Sequence, residues 1–569
     1  MEDERVNEPA GAPAGDPAAD AAQDLFTALY DGEDAVVRLL RAGAQADGTD
    51  EEGRTPLYLA AVSGKAGVVR LLLAAGADPD RACGVDEGDL PLCGAAANGH
   101  TEAVRALLAA GARPDLREAF DFTALAWAAG QGHEHAVEAL LEYGADPDLP
   151  GPGGEPPLVL AARRGSPSTV RALLGAGASA HAAALEEARQ WLGRDVEQEL
   201  RDGLLGAYGS GQETLTRRVE EDGGVTVVVD VLRDGVPGAG NERQTGHGAI
   251  ATVLEQELGM RTPYAELAER ALRDGRPDFD NWSEPATALS RRGDEETFRA
   301  AAAGCASDDP LRQAFAADVL AQLGFMYGAG PAAEGATAPA DPADGPMSTP
   351  EGAPGSPDGS RTGKAQPAAA AGTDVWWGGG DDAEDVRRPF AARALPLLRE
   401  LAREAQDAEL IQSAVLGLGH QGDPAALPEI LRHAGHPDPE VRYRVVLALA
   451  GLVPAGHADG IAALITLTRD ADTRTRDWAT MALAAVPDDT PDIREALAAR
   501  TDDADPDTAA EAARGLAMRQ DPRADEVLTR LLAEEDPDGF AYGTAMEAVG
   551  HIQDERLRRR LEGTVPRRR

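Results

Sequence analysis

The feature that most restricts how this chain folds is a repeat. A Gly-Ala pair recurs at Gly43, Gly76, Gly111, Gly144 and Gly177, at spacings of 33, 35, 33 and 33 residues. Leu57, Leu92, Leu125 and Leu158 keep the same period, as do the pairs Leu39-Leu40, Leu107-Leu108, Leu140-Leu141 and Leu173-Leu174. A unit this short cannot bury an apolar face alone, so it stacks on its neighbours. The best unit, TPLYLAAVSGKAGVVRLLLAAGADPD, starts at Thr55. Thr55 is placed to cap a helix whose first turn holds Pro56, where a backbone N–H has no helical partner. Ala60-Ala61 lets two helices approach closely, and Gly64, Gly99, Gly132 and Gly165 fall at the turn between them. Gly76 and its equivalents end the second helix in a left-handed cap.

A second repeat follows, marked by Asp308, Asp407, Asp438, Asp472, Asp505 and Asp536. Spacings after Asp407 are 31, 34, 33 and 31, whereas Asp308 and Asp407 stand 99 apart. The surplus matches the Pro/Gly/Ala-rich stretch 328–388, which reads as an insert within one repeat. The clearest unit, HPDPEVRYRVVLALAGL, places Arg442 four residues after Asp438, and Arg476 repeats that offset from Asp472. Ala509 and Phe540 stand where the next arginines are expected.

The first repeat resembles ankyrin repeats over residues 22–181. The second resembles HEAT-like repeats of the type named after phycobilisome lyases, with a first unit at 285–327 and the others at 389–562. Between them, 182–284 reads as an α+β connector. Leu185 to Tyr208 is expected as helix, Val225–Gly235 as a strand pairing with Thr214–Val219, and Gly248–Leu258 and Tyr264–Leu272 as helices, the last capped by Thr262-Pro263. Residues 1–21 and 328–388 read as disordered and 563–569 as a basic tail. Pro156-Pro157 and Pro167 predict irregular helices in the last ankyrin unit. The fold class is mostly α: two helical solenoids joined by a small α+β element.

The resemblance implies a non-enzymatic scaffold that holds proteins or peptides. In ankyrin repeats, the positions of Tyr58, Cys93, Val159 and Arg163 vary between partners. Phe120 and Phe122 lie beside Arg117 in the finger segment DLREAFDFTAL, and exposed aromatics with Arg are frequent interface anchors; packing between adjacent fingers is the alternative. Trp127 stands at a core position. Trp376-Trp377, in DVWWGGGDD, are costly to leave in water and are candidates to dock on a solenoid groove, in cis or on a partner; a low-complexity segment without a docking role is the alternative.

Charge narrows the partner. With 98 acids against 54 bases the net charge is −44, a field that repels nucleic-acid phosphates and anionic membranes and favours basic patches on proteins. No stretch approaches the 18 apolar residues of a membrane span. Cys83, Cys93 and Cys305 form no CxxC, and the acidic N-terminus lacks the features of a signal peptide, so a reducing cytoplasm is expected. The sharpest catalytic candidate is ERQTGHGAIATVLEQELG, where Arg243, Thr245 and His247 start a helix able to bind an anion; a loop capped by Thr245 is the structural alternative. A lyase-like or enzyme-accessory role through this segment and the HEAT-like repeats is the alternative function. His420, His433 and His436 lack the spacing of a metal site, and no cofactor is expected. His100 and His133 follow turn glycines and are expected to bond neighbouring loops.

Overall fold

The computed structural model describes residues 25–85, 88–221, 223–323 and 390–564. The tail at 1–21, the insert at 328–388 and Trp376-Trp377 lie outside the described residues.

Each N-terminal unit is a pair of short antiparallel helices. The first helices, Pro56–Val62, Pro91–Ala97, Ala124–Gln131 and Pro157–Arg164, stack on one another. The second helices, Ala66–Ala74, Thr101–Ala109, Glu134–Glu142 and Pro167–Gly175, form a parallel layer that begins at Glu33–Arg41. Thr55 and Thr123 cap as expected, accepting the N–H groups of Tyr58 and Ala126 at 3.1 Å. Ala60-Ala61, Ala95-Ala96, Ala128-Ala129 and Ala161-Ala162 are fully buried where the helices meet. Leu57, Leu125 and Leu158 are buried beside them, each stabilising the stack by roughly 1.5–3 kcal/mol. The last unit is regular, contrary to expectation, because Pro157 and Pro167 both fall in a first helical turn, where they cost no hydrogen bond.

Two ladders bind the units. The carboxylates of Asp47, Asp80, Asp115 and Asp148 accept the backbone N–H groups of Asp78, Arg113, Asp146 and Ser179 at 2.8–3.2 Å. At the helix turns, His100 Nε2 donates to Val62 O at 3.0 Å, and His133 Nε2 to Ala97 O at 3.3 Å.

The second ladder has a further rung inside the expected connector. His247 Nε2 donates to Arg163 O at 3.3 Å, and it follows Gly246 as His100 follows Gly99. The helix His181–Trp191 stacks on Pro157–Arg164, and His247–Glu257 packs against it. These two helices make a sixth helix pair, interrupted by residues 192–246. The interruption holds the helix Val196–Tyr208 and an antiparallel sheet of β1 (Glu213–Glu221), β2 (Gly224–Arg233) and β3 (Val236–Gln244), in that order. Leu200 and Leu204 of the helix cover Val227, Val229 and Val231 of β2. The expected single helix over Leu185–Tyr208 is thus two helices, divided around Gly193, which has φ 86°. The expected hairpin is present and β3 extends it.

His247–Glu257 also packs on Asp280–Ser290, which opens the second stack. The layer runs on through Pro310–Gln322, Ala408–Gln421, Pro439–Leu449, Thr473–Ala485, Pro506–Met518 and Phe540–Gly550. The repeat markers Asp407, Asp438, Asp472 and Asp505 each cap one of these helices. The other two markers are displaced: Asp309 rather than Asp308 is the cap, and Gly539 rather than Asp536 precedes the last of these helices. Thr262-Pro263 is no cap pair either, because the Thr262 hydroxyl donates to Glu255 at 2.6 Å. Arg442 forks onto Asp470 at 2.7 and 2.8 Å, and Arg476 onto Asp503 at 2.9 and 3.0 Å, each tying one repeat to the next.

The joint between the stacks is ionic and buried. Glu255 accepts from Arg270 at 2.8 and 2.9 Å and from Arg189 at 2.7 Å. Burial alone raises its pKa, but these hydrogen bonds and that from Thr262 outweigh burial and hold it below the usual carboxylate value. Removing one partner of such a pair leaves a buried charge uncompensated. Arg270→Met is therefore expected to cost about 3–5 kcal/mol locally. Amide hydrogen exchange reads this as lost protection over His247–Glu257 with protection of Pro56–Ala74 kept; unchanged protection at the joint contradicts the assignment.

Candidate functional site

The finger between the third and fourth helix pairs carries the most exposed aromatic group of the predicted set among the described residues. Its hairpin closes with Glu118 N–H donating to Phe122 O at 3.0 Å and Asp121 N–H to Glu118 O at 3.0 Å. Asp121 takes a left-handed φ of 64°, and Arg117 pairs with its carboxylate at 2.9 Å. Ala119 N–H reaches back to Gly88 O of the preceding finger at 3.1 Å. The tip is thereby fixed, and Phe120 stands on it 70 % exposed.

Phe122 does a different job. It stacks on Trp127 with ring centroids 3.9 Å apart and 15° between planes. Trp127 Nε1 donates to Glu118 at 2.6 Å, at the foot of the same finger. Burial raises the Glu118 pKa against that hydrogen bond. Phe122 and Trp127 therefore brace the finger, and Phe120 and Arg117 are left at its tip. Tyr58 is half-buried beside Gly94, where an added Cβ would lie 3.1 Å from its ring. Burial, then the acidic neighbours Asp89 and Glu118, push its hydroxyl up to about 12.

Three other predicted positions differ from expectation. Cys93 and Val159 are buried, so neither faces a partner. Cys93 packs toward the next repeat, its Sγ 4.0 Å from Phe122 O, and burial raises the pKa of its thiol. Arg163 is occupied, bridging Glu155 at 2.6 Å and Glu187 at 3.0 Å.

The Arg243–His247 segment is a joint. His247 is 3 % exposed, and Gly246 N–H donates to Gly165 O at 3.1 Å. Asn281 Oδ1 takes the Ala249 N–H at 2.8 Å, so the candidate anion site at this helix start is filled from within. Arg243 lies 3.9 Å above the Trp191 ring and donates to Arg163 O; burial and then Arg164 and Arg163 draw its pKa down to about 10. His433 Nε2 donates to Ala402 O at 2.7 Å, and His436 Nδ1 accepts from Asp438 N–H at 3.2 Å. Among the described residues no group of three or more His, Cys, Asp or Glu side chains is placed to hold a metal ion, and no helix is long and apolar enough to cross a membrane.

The C-terminal stack carries crowded carboxylates that the sequence reading did not single out. Asp477 is pushed up to about 7 by burial and then by Asp505, Glu511 and Asp507. Burial with Asp278, Asp407 and Asp438 raises Glu409 likewise. Nearby, Arg474 lies 4.7 Å over the Tyr443 ring. A cleft also lies between the sheet and the ankyrin turns, lined from β1 by Arg217, Val219 and Glu221; the local sequence RRVEE carries no signal of it.

Residues 20–83 and 92–184 match the family model for ankyrin repeats, in 3 copies, and residues 395–484 match that for HEAT repeats. The chain thus carries ankyrin repeats in its N-terminal part and HEAT repeats in its C-terminal part. The second match is to HEAT repeats in general, not to the lyase-named type. Both are interaction modules and typically non-catalytic. A search of the curated proteins finds no match.

His247 makes the joint pH-dependent. Burial, and in smaller part Arg243, hold its pKa down to about 3 against an ordinary 6.5, so the folded chain keeps the ring neutral. The unfolded chain takes up a proton below 6.5. Stability therefore falls as pH drops from 6.5 toward 3, by about 1.4 kcal/mol per unit. Hydrogen exchange of His247–Glu257, corrected for intrinsic rates, is expected to lose protection between pH 7 and pH 5 in the native chain and to lose less in His247→Gln. Equal losses count against this cause.

Proposed function

We propose that the chain is a cytoplasmic adaptor that grips a partner protein at the Phe120 finger tip and offers its HEAT stack to a second partner. The observation that carries this reading is Phe120, a large aromatic 70 % exposed on a finger that hydrogen bonds and the Phe122–Trp127 stack hold in place. A rigid exposed aromatic loses little side-chain freedom on binding, which is why such groups dominate interface energies. Arg117 at its side adds a cation that already pairs with Asp121. The partners carry basic patches, because the net charge of −44 steers them in and the crowded Asp477 and Glu409 regions gain from a neighbouring cation.

The finger separates two roles by substitution. Phe120→Ala touches no packed group and is expected to leave thermal unfolding unchanged while weakening capture of the native partner by about tenfold or more. Phe122→Ala removes the stack on Trp127 and is expected to lower stability by about 1–3 kcal/mol. Binding measured by titration with the partner purified from the native host decides it. Undiminished affinity in folded Phe120→Ala rejects the site.

A further inference from the structure

The three-stranded sheet has two unlike edges. β3 reads VPGAGNERQ; it carries Pro237, Gly238 and Gly240, and its register against β2 shifts between Asp230 and Leu232. Proline, glycine and a bulge are the usual means by which an edge is closed to further pairing. β1 has none of these. It pairs with β2 in unbroken register from Glu213↔Leu232 to Glu221↔Gly224 and has no strand on its other side among the described residues. Leu215 and Val219 on it are 40 % and 43 % exposed.

A cleft of about 390 Å³ opens under one face of this edge. Arg217, Val219 and Glu221 of β1 form part of one wall, and the ankyrin turn around His133 and His135 forms the other. Gln244 lies within it, 7 % exposed, with its Oε1 lacking any hydrogen-bond partner. A buried carbonyl oxygen left unpaired costs free energy that a bound donor recovers. Two independent features thus meet here: backbone groups along an open edge, and a side-chain cleft beneath Arg217, Val219 and Glu221 of its second half.

We propose that β1 receives an extended peptide of a partner protein as a fourth strand, with alternate residues of that peptide entering the cleft. Main-chain hydrogen bonds to the edge supply affinity, and the cleft selects side chains at a period of two. Val219 and Val228 favour apolar groups there. The lining carries the acids Glu134, Glu221 and Glu242 against Arg164 and Arg217, and Arg217 also pairs with the acid Asp230, so the net charge there is negative and the favoured charged residue is Lys or Arg. This site is separate from the Phe120 finger and stands or falls without it.

A displayed library of random nonapeptides, matched to the 9 residues of β1, tests the proposal on the full-length chain. The expected peptides alternate apolar or basic residues with variable ones. N-methylation of alternate backbone amides abolishes their binding, and Val219→Arg, a surface change, weakens it by about tenfold or more. The proposal is overturned if no peptide enriches, if the enriched set is acidic or lacks the period of two, or if affinity survives both changes. A concentration-dependent dimer in sedimentation that Val219→Arg abolishes overturns it too, since a second copy would then own the edge.

Discussion

Helices of seven to nine residues make up the ankyrin half, and isolated helices that short are marginal in water. What holds them is sideways burial. Each pair has no inside of its own and gains one only when the next pair covers it. That requirement accounts for the fully buried alanine pairs at the helix crossings and for the leucines at a fixed period. It also accounts for the ladders of Asp47, Asp80, Asp115 and Asp148 and of His100, His133 and His247, which fix the rotation of each unit on its neighbour. The same need operates in the C-terminal half through Arg442–Asp470 and Arg476–Asp503. A stack of this kind must be closed or continued at each end, and here it is continued: His247–Glu257 completes the ankyrin side and begins the next layer.

That shared helix gives the chain its mechanical character. A joint built from the buried Glu255, Arg270 and His247, with the half-buried Arg189, has few alternative arrangements, because Glu255 is held by both arginines and His247 by Arg163 O. Two repeat arrays that meet through such a joint hold a fixed relation, unlike domains on a flexible linker. The inserted sheet stands off the joint, tied to it by Arg164–Glu242 and by the Gly246–Gly165 backbone bond, so its open edge is displayed without being part of the stack.

Much of this was legible in the sequence because close packing leaves periodic marks. Gly, Ala and Leu at 33-residue spacing announce the ankyrin units, and Asp caps announce most of the HEAT helices. The errors share a physical origin. Position in the unit points Cys93 and Val159 outward, yet one step around a helix separates an exposed flank from a packed one. Asp536 resembles its predecessors, but the turn before Phe540–Gly550 closes at Gly539. β3 went unseen because its Pro and two Gly residues carry no strand preference; pairing with β2 imposes the conformation. The sixth helix pair was hidden because residues 192–246 break the period, although Gly246-His247 repeats Gly99-His100.

Sequence by itself determined the local chemistry: which segments coil, which residues cap them, where the chain must turn, and that the units stack rather than form separate cores. These follow from properties of neighbouring residues, which a linear reading contains. Only the tertiary structure decided which flank of each helix is buried, that Phe122 braces while Phe120 projects, that His247 closes a joint instead of holding an anion, and that one sheet edge stays open over a cleft. Those outcomes depend on groups distant in the chain meeting at distances of a few ångströms, and burial and hydrogen bonding at that range are set by the folded neighbours rather than by the residue itself.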